Sequence, residues 1–530
     1  MRALRAWSCA WSALSVLTAA CSNGAAPPPL DAGSGTGTGT TTTTPTTSGA
    51  TSTSGSGSGS TSTSSGPPAG PFSYTPKGCS YTVTPQTALA YSATALDDNS
   101  SAGPSSTATP TRVRLGLGGN TAEGQSGYAD PTTTAAFTWE TTAANTAAKV
   151  QYGTSATALS TVQSGYVWTL AATGTSGATY MHEAHVCGLT PATTYYYQVG
   201  GGAPGAEIWS ATQSFTTLPA TGSVTVGMTG DARDSSTVWQ LANEHIKALN
   251  VSAELFSGDL VLTGGEESLY SNWLDAIWQD PNNAGQFLTL GEVMFLPVAG
   301  NHEYILDNTA DHFSSAFAIP GTGAYGKTFG SYNIGNAHFV YLDDTAISAA
   351  TAGTDSPQAD AQLAWLNSDL TAANADRTKH PFIFVYSHRG MFSTSMHAVD
   401  PDVLQTRTTL APIYAQYKVD AVFNGHDHEY ERTVPIVPGS PITGDPTPQT
   451  GGTTYFICAG VGADPYAVGT ETVSWRATKV PFGSAATGTN ATYLGVYETL
   501  TLSGTTAVIN AYALTMAGND PVIDTVTLSH

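Results

Sequence analysis

The sequence predicts an α/β domain of two packed mixed sheets flanked by helices, preceded by an all-β sandwich. Three observations carry this reading. From about residue 218 onward, short apolar runs alternate with stretches of helical periodicity, as β-α-β units require. Five of those runs end in Asp, Asn or His, which is where open α/β sheets place the groups that bind ligands. Residues 72–217 instead show short strands of alternating polarity separated by turn residues, the pattern of an antiparallel sandwich.

At the N-terminus, Arg2 and Arg5 precede an apolar stretch from Trp11 to Ala20, so residues 1–21 read as a signal peptide too short to span a bilayer. The tail of this segment, LTAAC, resembles a bacterial lipoprotein cleavage box with Cys21 as the residue to be lipidated; ordinary secretion after nearby cleavage is the alternative. Residues 22–71 are nearly all Gly, Ser, Thr, Pro and Ala and cannot bury enough apolar surface to offset their ordering entropy, so a disordered tether is expected. In 72–217, the runs AAFTWETT, AKVQYGTS and TYYYQVGG read as strands. The segment GLTPATTYYYQV resembles the tyrosine corner of fibronectin type III domains. Three cysteines follow Cys21. Two of them, Cys79 and Cys187, fall in this domain and could pair in an oxidising compartment; Cys458 makes other pairings possible, and reduced thiols are the alternative.

In residues 218–530 the spacing of Val238, Leu241, Ala242, His245 and Leu249 predicts one helix, and Leu363, Leu366 and Leu370 predict another with Asp360 near its start. Further strands are expected in TTYFICAG, YLGVYETLTL and TAVINAYAL. The strand-end motifs are VTVGMTGD (Asp231), ELFSGD (Asp259), LPVAGNHE (Asn301), FIFVYSH (His388) and AVFNGHDH (His426, His428). Two carboxylates, a carboxamide and three imidazoles form a donor set suited to Zn, Fe or Mn, and a carboxylate can bridge two ions. Singly, Asp231 and Asp259 could equally be helix N-caps. The formal charge of −22, with no Lys/Arg cluster, excludes nucleic-acid binding and electrostatic attachment to anionic membranes. Membrane contact would then come only through lipid at Cys21. Only 11% of residues are charged, which suits an exported protein.

The motifs GD, GD, GNHE, VxxH and GHxH, in this order, resemble the calcineurin-like metallophosphoesterase superfamily. KTFGSYNIGNAHFVYLDD, QLAWLNSDL, GHDHEYERT and the fibronectin-like segment in front narrow the resemblance to the purple acid phosphatase-like branch, from about Phe72 onward. The resemblance implies a dinuclear centre in which Asp231 and His428 hold one ion, Asn301, His388 and His426 hold the other, and Asp259 bridges them. It further implies that His302 contacts phosphate and protonates the leaving oxygen, and that His397 faces the substrate. The expected reaction is hydrolysis of a small-molecule phosphate ester by in-line attack of a metal-bound hydroxide, with monoesters favoured. A diesterase or nucleotide hydrolase is the alternative within this chemistry, and a cell-surface binding protein that has lost catalysis is the alternative outside it.

Two positions depart from the pattern. The coloured enzymes carry Tyr three residues after the bridging Asp, where this chain has Leu262. Other superfamily members carry His two residues after the first Asp, where this chain has Arg233. An arginine cannot give up its proton to become a ligand, so Arg233 is expected either to pair with phosphate or to form an ion pair with a carboxylate.

Overall fold

The structure, a computed structural model, describes residues 74–83, 91–92, 109–119, 128–141, 147–170, 179–202, 205–233, 235–279, 287–321, 325, 327–349, 357–467 and 469–530. The expected signal peptide, Cys21 and the tether 22–71 lie outside the described residues.

Two antiparallel sheets form the N-terminal sandwich. One runs Tyr91–Ser92, Tyr166–Leu170, Thr179–Cys187, Thr134–Thr141, Thr111–Gly116, and the other Gln213–Thr216, Thr194–Gly201, Lys149–Gly153, Thr161–Ser164, with Ile208–Trp209 paired to Thr194–Gly201. Their inner faces meet around Phe137, Trp139, Val150, Tyr197 and Val199, all fully buried. The Tyr195 hydroxyl accepts the Thr190 amide proton at 3.0 Å, tying the turn before its strand to the strand itself. A disulfide joins Cys79 to Cys187, while Cys458 is a buried free thiol elsewhere.

The edge strand Thr111–Gly116 is covered by the second domain. The Leu115 and Leu117 amides donate to the carbonyls of Leu290 (2.8 Å) and Ala318 (3.0 Å), which removes an open sheet edge. Arg112 forks onto Asp275, and Lys327 reaches Glu183 inside the sandwich.

The second domain consists of two mixed sheets, face to face. The first has six strands in the order Met294–Pro297, Ala253–Phe256, Val224–Thr229, Gly495–Ser503, Thr506–Leu514, Val522–Ser529, its first three strands parallel. The second has seven: Gly330–Ile334, Ala337–Tyr341, Phe382–Tyr386, Ala421–Asn424, Thr454–Cys458, Tyr430–Thr433, Arg476–Val480, with the second to fifth parallel. Between them Leu255, Phe384, Phe423, Phe456 and Leu500 form a core, and the Tyr386 hydroxyl donates across it to the Leu296 carbonyl at 3.2 Å. Because these strands are covered on both faces, they read as unbroken apolar runs.

Helices close the outer faces. On the seven-stranded sheet, Leu366 and Leu370 of the helix Pro357–Ala375 and Leu410 and Tyr414 of Pro401–Tyr417 pack on Val340, Val385 and Val422. On the six-stranded sheet, the helix Ser236–Ala248 buries Trp239, Ala242, Asn243 and Ile246. Of the residues whose spacing predicted this helix, Ala242 is buried, Val238, Leu241 and His245 are partly buried, and Leu249 at its C-terminal cap is exposed. Trp239 decides the helix rotation, since its ring stacks on Trp273 at 5.0 Å and meets Phe256 edge-on at 5.1 Å. Ser235 caps this helix by accepting from the Val238 amide, and the next begins only at Glu267, so neither Asp231 nor Asp259 is an N-cap.

Candidate metal centre

Six loops that leave the C-terminal ends of parallel strands converge on one spot. Asp231 follows Val224–Thr229, Asp259 follows Ala253–Phe256, Asn301 follows Met294–Pro297, His388 follows Phe382–Tyr386, and His426 and His428 follow Ala421–Asn424. The sixth loop, after Thr454–Cys458, brings in Tyr466. Asp231, Asp259 and His426 have positive φ (59°, 55° and 72°), a region that non-glycine residues occupy at a cost and that clusters at functional sites. Glycines permit the close approach: a Cβ on Gly300 would lie 2.2 Å from Asp259 Oδ1, and one on Gly425 2.3 Å from Asp231 Oδ2.

The polarity at the centre is anomalous for a site without a cation. His388 donates from Nδ1 to the Ser257 carbonyl at 2.8 Å, which leaves the lone pair on Nε2. That Nε2 faces Asn301 Oδ1 at 3.0 Å, Asp259 Oδ1 at 3.2 Å and His426 Nδ1 at 3.2 Å. Asn301 Oδ1 and Asp259 Oδ1 can only accept, so together with the His388 lone pair three acceptor atoms point at one another, an arrangement that repels unless a proton or a metal ion lies among them. A second such contact lies beside it. His428 donates from Nδ1 to the Asp464 carbonyl, so its lone pair on Nε2 faces Asp231 Oδ1 at 3.3 Å. The Nε2 atoms of His426 and His428 are buried and have no hydrogen-bond partner. Asp259, His388 and His426 offer ligand atoms within 4.8 Å of one another. The donor set and its orphaned atoms fit metal ions.

Electrostatics follow the same geometry. Burial opposes the charge on Asp259, yet the neighbouring His388, with Arg233, holds its carboxyl below the usual range. Burial also opposes protonation of His388, but Asp259 outweighs it and lifts the imidazole to about 10, so this nitrogen holds a proton tightly when no metal competes. His426 is pushed the other way, first by burial and then by His388, and stays neutral, the form that ligates. Glu303 supports the loops from beneath, accepting the amides of Asp259 (2.9 Å), Leu260 (2.9 Å) and Gly300 (2.6 Å).

Around this centre lie the other predicted residues. Arg233 makes the ion pair that was one of its two expected fates, through Nη1 to Asp259 Oδ2 at 3.2 Å, and the same nitrogen donates to His302 Nε2. Its Nη2 donates to the Tyr466 hydroxyl at 2.8 Å. His302 lies on a short 3₁₀ turn; its Nδ1 donates to the Leu262 carbonyl at 2.7 Å and its amide to Asp259 Oδ1 at 2.9 Å. The His397 ring lies 4.4 Å from that of His426, tilted by 38°, held by Asp400 at 2.8 Å and by its backbone amide donating to Asp427 Oδ1 at 3.1 Å. Tyr466, which sequence reasoning missed, lies on the His428 ring at 3.9 Å and 17°. Its only signal in the sequence is its place beyond a strand end.

Strand-end ligand loops over a two-sheet sandwich define a calcineurin-like phosphoesterase, and residues 228–430 match that family, "Calcineurin-like phosphoesterase". Residues 125–217 match "Purple acid Phosphatase, N-terminal domain". Together these place the chain in the purple acid phosphatase-like branch of the calcineurin-like metallophosphoesterases, to which it belongs. Among its relatives, purple acid phosphatase 15 of Arabidopsis thaliana is 28% identical over 279 residues, 48% of this chain and 49% of the relative. A purple acid phosphatase of Glycine max is 27% identical over 270 residues, covering 48% and 53%. The chain spans about half the length of the curated relatives it matches. Among solved structures, the purple acid phosphatase PPD1 from yellow lupin seeds superposes with a TM-score of 0.59 over 80% of this chain and 74% of that one, at 19% identity. PhoD does so with 0.51 over 80% and 91%, at 12%. At these identities the two structures speak for the fold.

Proposed function

We propose that the protein is an exported hydrolase of small phosphate esters, a phosphomonoesterase working with two metal ions of the Fe, Zn or Mn type. Asp231 and His428 would hold one ion, Asn301, His388 and His426 the other, and Asp259 would bridge them. The observation that carries this reading is the set of mutually facing acceptors on Asp259, Asn301 and His388, which only a cation or a proton reconciles, with the ring of His426 against it. Such a pair of ions would supply positive charge for the phosphoryl oxygens and lower the pKa of a water toward neutral.

The chain's own groups supply the rest. Arg233 is one hydrogen bond from both the bridging carboxylate and His302, so its guanidinium is available to a phosphoryl oxygen at the centre. His302 accepts from Arg233 at Nε2 and donates at Nδ1, so in this state the nitrogen that faces the site is an acceptor. Proton delivery by His302 therefore requires that Arg233 turn to the substrate first. That frees Nε2 to carry the proton given to the leaving oxygen. His397, its ring tilted against that of His426, would face the substrate. Export is supported by the Cys79–Cys187 disulfide, which belongs to an oxidising compartment, and by the character of residues 1–21. Lipid on Cys21 would make that export end at a membrane.

The test is metal analysis of the purified protein together with a screen of phosphomonoesters, diesters and nucleotides. About two ions per chain with monoester turnover is the expected result. Two ions with preferential diester or nucleotide turnover would favour the diesterase alternative, and fewer than one ion without turnover would favour a binding protein.

A further inference from the structure

Single exposed apolar side chains are ordinary, but their concentration in one place is not. Among the described residues, nine large apolar side chains are exposed, and five of them belong to the three loops around the centre: Leu262, Ile305, Leu306, Met396 and Val399. Leu306 and Val399 are 78% and 74% exposed. Leu262 lies three residues past Asp259, and its carbonyl holds His302. Ile305 and Leu306 follow His302 in the same turn, and the Gly265 amide donates to the Ile305 carbonyl at 2.9 Å, locking these two loops together. Met396 and Val399 bracket His397, whose ring contacts His426 from the other side.

The charge pattern of the same loops is equally one-sided. Residues 260–266, 302–312 and 391–400 contain no Lys or Arg but carry five acids, Glu266, Glu303, Asp307, Asp311 and Asp400, beside the histidines His302, His312 and His397. The nearby Arg389 is buried in ion pairs with Asp344 and Asp402. Apart from Arg233, which the phosphoryl group itself engages, a leaving group bearing further phosphates would meet acids of these loops and none of their own cations, whereas an uncharged chain would meet apolar side chains.

Resting on the phosphomonoesterase reading above, we propose that this apolar rim selects the substrate. The ester's leaving group is an uncharged, apolar alkyl chain that leaves the centre across Leu262, Ile305 and Leu306 or across Met396 and Val399. The preferred substrates are then soluble alkyl phosphates, ahead of sugar phosphates and nucleotides.

The experiment uses the metal-loaded full chain and a series of n-alkyl phosphates from ethyl to octyl, each below its aggregation concentration. Burying a methylene fully is worth about fourfold in binding and half-burying it about twofold. The expected result is a rise in kcat/KM of about twofold to fourfold per methylene over the first several carbons, carried by KM. In Leu306→Asn with Val399→Ser the rise flattens while turnover of ethyl phosphate is unchanged. A flat series, a rise that survives both substitutions, or a rise seen only above aggregation would overturn the proposal. If no ester at all is turned over, the phosphomonoesterase reading fails on its own account. Calorimetry with methyl- and octylphosphonate then decides the rim separately: octyl binding at least tenfold tighter supports it, and equal affinities overturn it.

Discussion

Arg233 donates to His302 Nε2 with the same nitrogen that pairs with Asp259 Oδ2. Neither a guanidinium nor a backbone carbonyl can exchange roles, so this contact and the Leu262 carbonyl together fix His302 as the Nδ1–H tautomer. A residue that the motif alone presents as a proton donor is, in this state, an acceptor tied to a cation. Arg233 and His302 act as one unit, and the predictions that concern them are linked.

On an activated aryl ester, where acid assistance matters least, Arg233→Ala and His302→Ala should each lower kcat/KM about 10- to 100-fold, the range for hydrogen bonds to charged groups. The double variant should fall little below the worse single one, because each substitution already breaks the shared step. Steady-state kinetics on the four proteins of the cycle checks this. Losses that multiply would mean the two residues serve the reaction independently.

If Arg233 releases His302 when a phosphoryl group arrives, His302→Ala should retain its metals and lose more rate on alkyl esters than on activated aryl esters. Acid assistance is worth ~10²–10⁴-fold where the leaving oxygen is a poor one. Equal losses on both classes would assign His302 to binding the phosphoryl group instead.

Asp259→Ala should abolish turnover and lower metal content while far-UV circular dichroism stays native-like. The carboxylate touches His388, Arg233 and the His302 amide, so its removal leaves the buried cations without their common partner. Near-normal metal content and rate in this variant would count against the bridging role.

The iron-loaded protein should show no intense purple band. Leu262 carries no oxygen where the coloured enzymes carry a phenol. The nearby Tyr466 hydroxyl is engaged by Arg233, and burial raises its phenol above the ordinary value against the pull of that guanidinium. Visible spectroscopy of wild type and Tyr466→Phe decides it. A band lost in Tyr466→Phe would make Tyr466 the phenolate ligand.

How much of this was legible beforehand depended on how local the signal was. Each strand-end motif is an apolar run plus a polar terminus within about eight residues, and one chain segment supplies both, so Asp231, Asp259, Asn301, His388, His426 and His428 could be named from sequence. The strand runs were legible for the same reason, since burial on both faces leaves them without polar interruption. Contacts decided by tertiary placement were not legible. Tyr466 reaches His428 from a separate loop with no periodicity to mark it. Arg233 could be assigned either to phosphate or to a carboxylate, because its neighbours Asp259, His302 and Tyr466 come from three other loops. The first helix was legible from its spacing, but its buried face was not: Val238, Leu241 and His245 are as helically spaced as Trp239, Ala242 and Ile246, and the aromatic layer of Trp273 and Phe295 selects the second set.

The last prediction concerns stability away from the centre. Glu254 lies fully buried in the strand Ala253–Phe256 with both carboxylate oxygens lacking hydrogen-bond partners, and burial pushes its carboxyl up to about 8. The folded state therefore keeps a proton that the unfolded chain releases near the ordinary glutamate value. Below that value both states are protonated and Glu254 costs nothing through its charge. As pH rises from about 4.5 to about 8, the unfolded state binds fewer protons and stability falls, by at most ~1.4 kcal/mol per pH unit. Above about 8 the loss is complete, on the order of a few kcal/mol. Glu254→Gln removes the titration but keeps the shape, so its advantage over wild type in urea denaturation should be small at pH 4.5 and grow steadily to pH 8. A difference that does not change with pH would show that Glu254 is ionised in the folded protein and has a partner within the strand layer.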